Sequence, residues 1–162
     1  IIIYNIPGRT GSNINANTML QLAKIPSIAG VKEASGDLVQ VMNILRNAPK
    51  DFVVMSGDDV MTFPLMSLGA KGVISVASNI VPDRMIRLVE LLAAGDLVEA
   101  RKAHFQLMPL FSHLFLETNP IPVKTALRLM GRPAGALRLP LCDMTPQNLE
   151  ILKKTLTEQK LL

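Results

Sequence analysis

The sequence has 162 residues, of which 49% are hydrophobic and 19% are charged, and its formal net charge at pH 7 is +4. That length suits one compact domain, and the apolar share is large enough to bury a core, so a disordered or strongly cationic chain is excluded. Aromatic residues make up only 4% of the chain, and its basic residues are scattered. We therefore expect no nucleic-acid partner.

The single cysteine, Cys142, excludes an internal disulfide, and the spacings of the usual zinc sites are missing. Apolar stretches are short: residues 88–94, which include Glu90, fall well below the ~18 residues that a membrane span needs. The first residues show neither the basic flank nor the cleavage site of a signal peptide. These observations predict a cytoplasmic protein with no membrane partner.

Four short apolar runs, rich in β-branched residues, alternate with helical patterns in the first half of the chain. The runs predict buried strands at residues 1–4, 28–32, 52–55 and 72–76. The patterns between them predict helices at residues 15–23, 37–46 and 58–68. Pro64 is expected to strain or kink the last of these helices. This strict alternation of apolar strands and helices predicts an α/β fold with a parallel sheet covered by helices.

After residue 76 the pattern becomes entirely helical. Helices are predicted at residues 83–94, from 96 to about 117, at 122–130 and at 145–160. Pro82 suits a first helical turn, Gly95 a helix end and Asp96 an N-cap. Glycine and proline punctuate residues 131–140, which predicts a loop within the domain.

Two folds fit four parallel β/α units. An open doubly wound sheet usually carries a glycine-rich nucleotide turn, but the first turn, PGRTG at residues 7–11, matches neither the dinucleotide nor the P-loop spacing. A TIM (β/α)8 barrel has eight strands and typically ~250 residues, so we predict the second half of one. In this prediction residues 1–80 are the C-terminal half of the barrel, with its last helix beginning near residue 82. Residues 81–162 are that helix and a C-terminal helical region. Because the chain starts inside a strand, we also expect a longer parent chain.

Lys32 is the first residue to consider for chemistry, because active sites of such barrels lie at the C-terminal ends of the strands. It ends the second predicted strand among small neighbours. Partial burial favours the neutral amine, which is the form that attacks a carbonyl group. The alternative is a strand-end lysine that extends to solvent or pairs with an acid such as Asp58.

Two further residues follow the neighbouring strand. Tyr4 ends that strand, and its phenol can donate and accept the protons that Schiff-base chemistry requires. Alternatively it is only a half-polar residue at a barrel mouth. Arg9 lies in the turn just beyond, where its guanidinium fork suits a carboxylate; an exposed loop arginine is the ordinary alternative.

Other polar residues carry weaker signals. Asp58 and Asp59 are adjacent carboxylates without a histidine nearby, and Asp58 is predicted to cap the helix that follows. His104 and His113 lie nine residues apart on one predicted helix, too far for joint ligation of a metal from one turn. We expect both to be packing or surface residues.

The order and spacing of four motifs resemble the dihydrodipicolinate synthase family over essentially the whole chain. They are YNIPGRTG at residues 4–11, GVKEASGD at 30–37, SGDD at 56–59 and GVISVASN at 72–79. The resemblance implies a homotetrameric lyase that condenses pyruvate with aspartate semialdehyde, giving the precursor of diaminopimelate and lysine.

The same resemblance implies a role for five residues. Lys32 would form the Schiff base with pyruvate, Tyr4 would relay protons, and Arg9 would hold the carboxylate of the semialdehyde. Gly57 and the backbone of Ile74 match positions that shape the pyruvate pocket of the family. No metal or organic cofactor is implied, because the lysine itself supplies the electron sink.

The family's paired threonines, second catalytic tyrosine and lysine-feedback site belong to the first half of the barrel, which this sequence lacks. We therefore expect little synthase activity from the 162 residues alone.

Two alternative functions stay open. One is another pyruvate-dependent lyase, similar to N-acetylneuraminate lyase, although Arg9 and the SGDD motif argue against it. The other is a noncatalytic half-barrel, whose strand edges at Tyr4 and Val76 pair with another copy or with a missing half.

Overall fold

The structure is a computed structural model that describes residues 1–162. Its strands β1 (Ile2–Asn5), β2 (Gly30–Glu33) and β3 (Val53–Ser56) form a parallel sheet in the order β1-β2-β3. The helices are α1 (Pro7–Thr10), α2 (Ala16–Leu22), α3 (Leu38–Asn47), α4 (Thr62–Ser67), α5 (Pro82–Ala93), α6 (Leu97–His113), α7 (Ile121–Leu129) and α8 (Pro146–Glu158). The predicted parallel sheet and the all-helical second half are both present.

The fourth predicted strand, residues 72–76, is reduced to a single parallel bridge between Ser56 and Val73. The Ser56 N–H donates to the carbonyl of Gly72 at 2.8 Å, and the Ile74 N–H donates to the carbonyl of Ser56 at 2.9 Å. The chain then turns into a 3-10 helix at Ala77–Asn79. The prediction has the right direction but the wrong length, because this turn ends the pairing after one bridge.

Side-chain caps fix the starts of several helices close to their predicted positions. Asn15 and Asp37 each accept a hydrogen bond at 2.9 Å from the backbone N–H three residues further on. Asp96 and Thr145 make the same contact at 3.1 Å and 3.4 Å. Such caps satisfy N–H groups that have no partner inside the helix.

Helix α4 corrects two predictions. It begins at Thr62 rather than at residue 58, and its N-cap residue, Met61, makes no side-chain hydrogen bond. Asp58 instead accepts a hydrogen bond from the Val60 N–H at 3.1 Å, so it stabilises the turn before the helix. Pro64 lies in the first turn, where an N–H has no partner within the helix, so the predicted strain does not arise.

Helix α6 ends at His113, short of the predicted end near residue 117. The Phe115 N–H donates to the carbonyl of Ser112 at 3.1 Å, and Leu116 makes the equivalent bond at 3.5 Å. These hydrogen bonds span three residues instead of four, so the chain tightens and leaves the α-helical path.

The chain divides into two compact units. The first unit contains residues Ile1–Ser75 and Leu88–Arg101, and the second contains Val76–Arg87 and Lys102–Leu162. The core of the first unit includes Met19, Val31, Ile44, Val54 and Leu65. The core of the second includes Leu110, Phe111, Leu114, Leu152 and Leu156. The boundary at residue 80 stays a prediction.

The register of the sheet determines which side chains share a face. It pairs Tyr4 with Lys32 and Asn5 with Glu33. Because successive side chains of a strand point to opposite faces, the first pair lies on one face of the sheet and the second pair on the other. Both pairs stand at the C-terminal ends of their strands.

Candidate active site

Lys32 and Tyr4 are in direct contact. The Nζ of Lys32 lies 4.0 Å from the centroid of the Tyr4 ring, within the range of a cation–π interaction. Lys32 is partly buried, whereas Tyr4 is 45% exposed, so the phenol remains accessible to a small molecule. An amine and a phenol at this separation can act on the same bound carbonyl compound.

Gly57 packs against the aliphatic part of Lys32. Its N–H donates to the carbonyl of Glu33 at 2.7 Å, which brings the two backbones close together. A Cβ atom at this position would lie 2.7 Å from the Cβ of Ala34 and 3.1 Å from the Cγ of Lys32. Only glycine fits between these two backbones without displacing its neighbours. Its small size leaves the Lys32 side chain in its observed conformation.

Arg9 lies on the segment that follows β1, and Ile74 follows Val73, which forms a parallel bridge with Ser56 at the end of β3. Arg9 belongs to the exposed helix α1, which ends at Gly11 in the left-handed conformation with φ 71°. The side chain of Ile74 is 44% exposed, and its backbone is held by the carbonyl of Ser56. The contacts that define the site join only Tyr4, Lys32 and Gly57.

Asn5 and Glu33 form a second pair that the sequence analysis did not single out. They are 1% and 2% exposed, and the Asn5 Nδ2 donates to both carboxylate oxygens of Glu33, at 3.0 Å and 3.2 Å. Glu33 stands inside the KEASG motif next to Lys32, but a glutamate at a strand end is expected to be exposed. The period of two in β-strands is the sequence signal that could have placed Glu33 on the face opposite Lys32.

The histidines lie elsewhere and act as packing residues, as predicted. His104 is buried, with its ring centroid 5.6 Å from that of Phe111, and this burial lowers the pKa of the imidazole. His113 Nδ1 shares a hydrogen bond of 2.5 Å with the hydroxyl of Thr155. The chain contains no group of three acidic, histidine or cysteine side chains that could hold a metal ion.

The second unit has a cavity of about 850 Å³ that contains none of the predicted site residues. Its lining includes Arg84, Arg87 and Phe105. Arg84 donates hydrogen bonds to the side chain and the carbonyl of Gln159, each at 2.8 Å.

No helix of the chain has both the length and the apolar character needed to cross a membrane.

A parallel β/α sheet with an amine at the end of a strand is typical of the TIM-barrel enzymes that form imines. Comparison with family models gives a match to the Dihydrodipicolinate synthetase family over residues 1–159. The chain belongs to this family.

Similar proteins include the 4-hydroxy-tetrahydrodipicolinate synthases of Archaeoglobus fulgidus and Methanospirillum hungatei. The first is 48% identical over 162 residues, which are 100% of this chain and 56% of the relative. The second is 51% identical over 158 residues, 97% of this chain and 54% of the relative. The chain thus spans about half the length of these relatives.

Among solved structures, the dihydrodipicolinate synthase of Thermotoga maritima superposes with a TM-score of 0.96 at 43% identity. The match covers 100% of this chain and 56% of the Thermotoga chain. The chain therefore has the fold of part of a TIM (β/α)8 barrel followed by a helical region, as the sequence predicts.

Proposed function

We propose that the whole protein condenses pyruvate with aspartate semialdehyde through a Schiff base on Lys32, giving 4-hydroxy-tetrahydrodipicolinate for diaminopimelate and lysine biosynthesis. The observation that carries this proposal is the contact of the Lys32 Nζ with the Tyr4 ring at 4.0 Å. The names of its half-matched relatives, which are 4-hydroxy-tetrahydrodipicolinate synthases, give further support.

In the first step the neutral amine of Lys32 attacks the C2 carbonyl of pyruvate. A C–N bond forms, the carbonyl oxygen leaves as water, and an imine remains. Loss of a proton from the adjacent methyl group then gives an enamine. The iminium nitrogen accepts the electron pair of the broken C–H bond, so the step uses no metal or organic cofactor.

The enamine carbon next attacks the aldehyde carbon of the semialdehyde and forms a C–C bond. Ring closure follows when the amine of the semialdehyde displaces Lys32 from the imine carbon, which restores the free lysine. One water is released over the whole sequence, in the imine-forming step. In this scheme the hydroxyl of Tyr4 donates and accepts the protons of imine formation and breakdown.

Three residues complete the proposed site. The guanidinium of Arg9 binds the carboxylate of the semialdehyde, for which its two parallel N–H donors are suited. Gly57 and the backbone of Ile74 shape the pocket for pyruvate. The short distance from the Cβ position of Gly57 to the Cγ of Lys32, 3.1 Å, supports the part assigned to Gly57.

The proposal also covers the cellular location, the oligomeric state and the partners of the enzyme. We propose a cytoplasmic homotetramer that acts on small molecules without nucleic-acid or membrane partners. The free thiol of Cys142 is compatible with a reducing compartment. Exposed apolar side chains, among them Val39 at 64% and Phe105 at 62%, are compatible with association of subunits.

Reductive trapping tests the Schiff base directly. The chain is incubated with pyruvate and borohydride, which reduces an imine to a stable amine, and the product is mapped by peptide mass spectrometry. We expect one pyruvyl adduct on Lys32. Lys32→Ala should lose that adduct, while Lys50→Ala, which changes an exposed lysine, should keep it.

Two results would overturn the proposed chemistry. One is the absence of an adduct on Lys32 both in the 162-residue chain and in the whole protein, each shown to be folded by circular dichroism. The other is labelling of Lys32 no faster than that of the exposed lysines, which would indicate ordinary amine reactivity. The acceptor is tested separately, in a single turnover with the chain in excess over aspartate semialdehyde or over N-acetylmannosamine. Product from the sugar alone would assign the chain to the neuraminate lyases.

A further inference from the structure

The reverse face of the β1–β2 pair carries a buried polar cluster directly behind Tyr4 and Lys32. Glu33 accepts hydrogen bonds from three donors: the Asn5 Nδ2 at 3.0 Å and 3.2 Å, the Ser35 N–H at 2.8 Å and the Gln40 Nε2 at 3.5 Å. Every one of these contacts is an N–H pointing at a carboxylate oxygen. An acceptor-only group is needed where three donors converge, and a carboxylate is the side chain that supplies it.

Asn5 extends the cluster to the segment that carries Arg9. Its Oδ1 accepts from the Ile14 N–H at 3.0 Å, and its Nδ2 donates to the Asn13 Oδ1 at 2.9 Å. Residues 6–14 therefore leave β1 beside Asn5 and return to the side chain of the same residue. Arg9 lies within this closed segment, on helix α1.

Helix α3 closes the cluster from a third side. Gln40 donates to the carbonyl of Ile14 and to Asn13, both at 3.3 Å, and accepts from the Asn13 Nδ2 at 2.9 Å. Three segments that follow or form neighbouring strands thus meet at Asn5 and Glu33. A buried network whose members are all satisfied stabilises one arrangement over others, since any shift leaves a buried polar group without its partner.

We propose that Glu33 and Asn5 are positioning residues for the Schiff-base site, an inference that rests on the proposed function. They act through the backbone, since each immediately follows one member of the Tyr4–Lys32 register pair. Their hydrogen bond holds the two strands in that register from behind and fixes both ends of the Arg9 segment. Neither residue touches pyruvate in this scheme; they determine where the phenol and the amine stand.

The test exchanges the polarity of the pair. Glu33→Gln replaces one of the two acceptor oxygens with an NH2 group, so at least one of the three N–H donors loses its acceptor. Asn5→Asp sets a carboxylate against the carboxylate of Glu33. The double variant Asn5→Asp with Glu33→Gln restores one donor opposite one acceptor and keeps the same net charge. Glu90→Gln, which changes an exposed glutamate, is the matched control.

The first readout is the rate of borohydride trapping of pyruvate on Lys32, per folded chain. We expect each single variant to be slower by about 10- to 100-fold, because misplacing a reacting group by 1 Å can cost that much. The double variant should be faster than either single variant, because it restores the donor–acceptor match between positions 5 and 33, and Glu90→Gln should match the unsubstituted chain. A purely structural role would lower the folded fraction without changing this rate.

The second readout does not depend on catalysis. The chain contains one tyrosine and no tryptophan, so the near-ultraviolet tyrosine signal in circular dichroism reports Tyr4 alone. We expect this signal to collapse in both single variants and to return in the double variant, while the helical far-ultraviolet signal persists.

The outcomes separate the two proposals. If neither the unsubstituted 162-residue chain nor the whole protein traps pyruvate on Lys32, the proposed function fails, and the Tyr4 signal alone decides the positioning role. If the parent chain traps pyruvate but folded Glu33→Gln keeps both its trapping rate and its Tyr4 signal, the positioning role is wrong. If the double variant is no better than the single variants, the donor–acceptor match is not what holds the pair, and the inference is overturned.

Discussion

The two compact units of the chain differ in the polar residues that they bury. In the first unit the buried polar residues are Asn5, Glu33, Gln40, Ser56, Asp59 and Thr62, and most lie at or just after strand ends. In the second unit they are only His104, Thr125 and Thr155. The two threonines donate to carbonyls of their own helices, at 2.9 Å and 3.1 Å.

The first unit contains the candidate site, whereas the buried residues of the second unit mainly stabilise the fold. A buried network of side-chain hydrogen bonds lies behind Lys32 in the first unit, whereas the buried residues of the second unit are mostly apolar. Substitutions in the first unit should therefore alter the reactivity of Lys32 more than the stability of the fold. Substitutions in the second unit should do the reverse.

The largest expected effect is on stability, from Phe111→Ala in the second unit. Phe111 is fully buried, so its truncation should lower the free energy of unfolding by about 3–5 kcal/mol. Urea titration measures the change. The control is Phe105→Ala, which truncates a ring that is 62% exposed and should cost less than about 1 kcal/mol. A loss for Phe111→Ala as small as that of the control would break the comparison.

Tyr4→Phe should have the opposite effect, with a large loss of Lys32 reactivity and a small change in stability. Removing the hydroxyl should slow trapping of pyruvate on Lys32 by about 100-fold, the scale of general acid–base catalysis. Since Tyr4 is 45% exposed, the free energy of unfolding should change by less than about 1 kcal/mol. Trapping kinetics and urea titration on the same preparation test both halves. Unchanged trapping would remove Tyr4 from the proton relay.

Gly57→Ala should affect both properties, because Gly57 packs against Lys32. A methyl group would meet the Cβ of Ala34 at 2.7 Å, and such overpacking costs about 1–3 kcal/mol. The yield of adduct on Lys32 should fall as well. Gly8→Ala is the control, since a Cβ on Gly8 meets nothing within 4 Å. Equal behaviour of the two variants in urea titration and trapping would show that the close approach is unimportant.

The smallest expected effect is a pH dependence in the second unit. Burial lowers the pKa of His104 below its ordinary value, so protonation favours the unfolded chain. The contribution of His104 to stability should be full above pH ~6.5 and should be lost as the pH falls below this value. Urea titrations at pH 7.5 and 5.5 measure the loss. His104→Leu should abolish it, whereas His113→Gln should retain it.

Much of the fold could be predicted because local signals agree with the tertiary structure. Asn15, Asp37 and Thr145 are good N-caps by residue type, and they cap α2, α3 and α8. The failures occur where tertiary contacts override those signals. Asp58 has the sequence pattern of a cap, yet its carboxylate binds the Val60 N–H within a turn, and the helix begins later.

The candidate site divides in the same way. Tyr4 and Lys32 could be placed together because parallel strands bring their C-terminal ends to one edge. The reverse-face pair could not be recognised as a pair, since Glu33 makes its buried contacts with Asn5 on another strand and with Gln40 on a helix. Hydrogen bonds between side chains of separate elements leave no periodic pattern in a sequence.

The closure of residues 6–14 on Asn5 has a consequence for how the protein can change. With both ends of the segment tied to one side chain, added length acts only on loop entropy, and doubling a loop costs only about 0.6 kcal/mol. The segment around Arg9 can therefore be replaced by segments of a different length or sequence. Replacement of the residues between these two points can alter the length and charge of this edge of the sheet while β1 keeps its place.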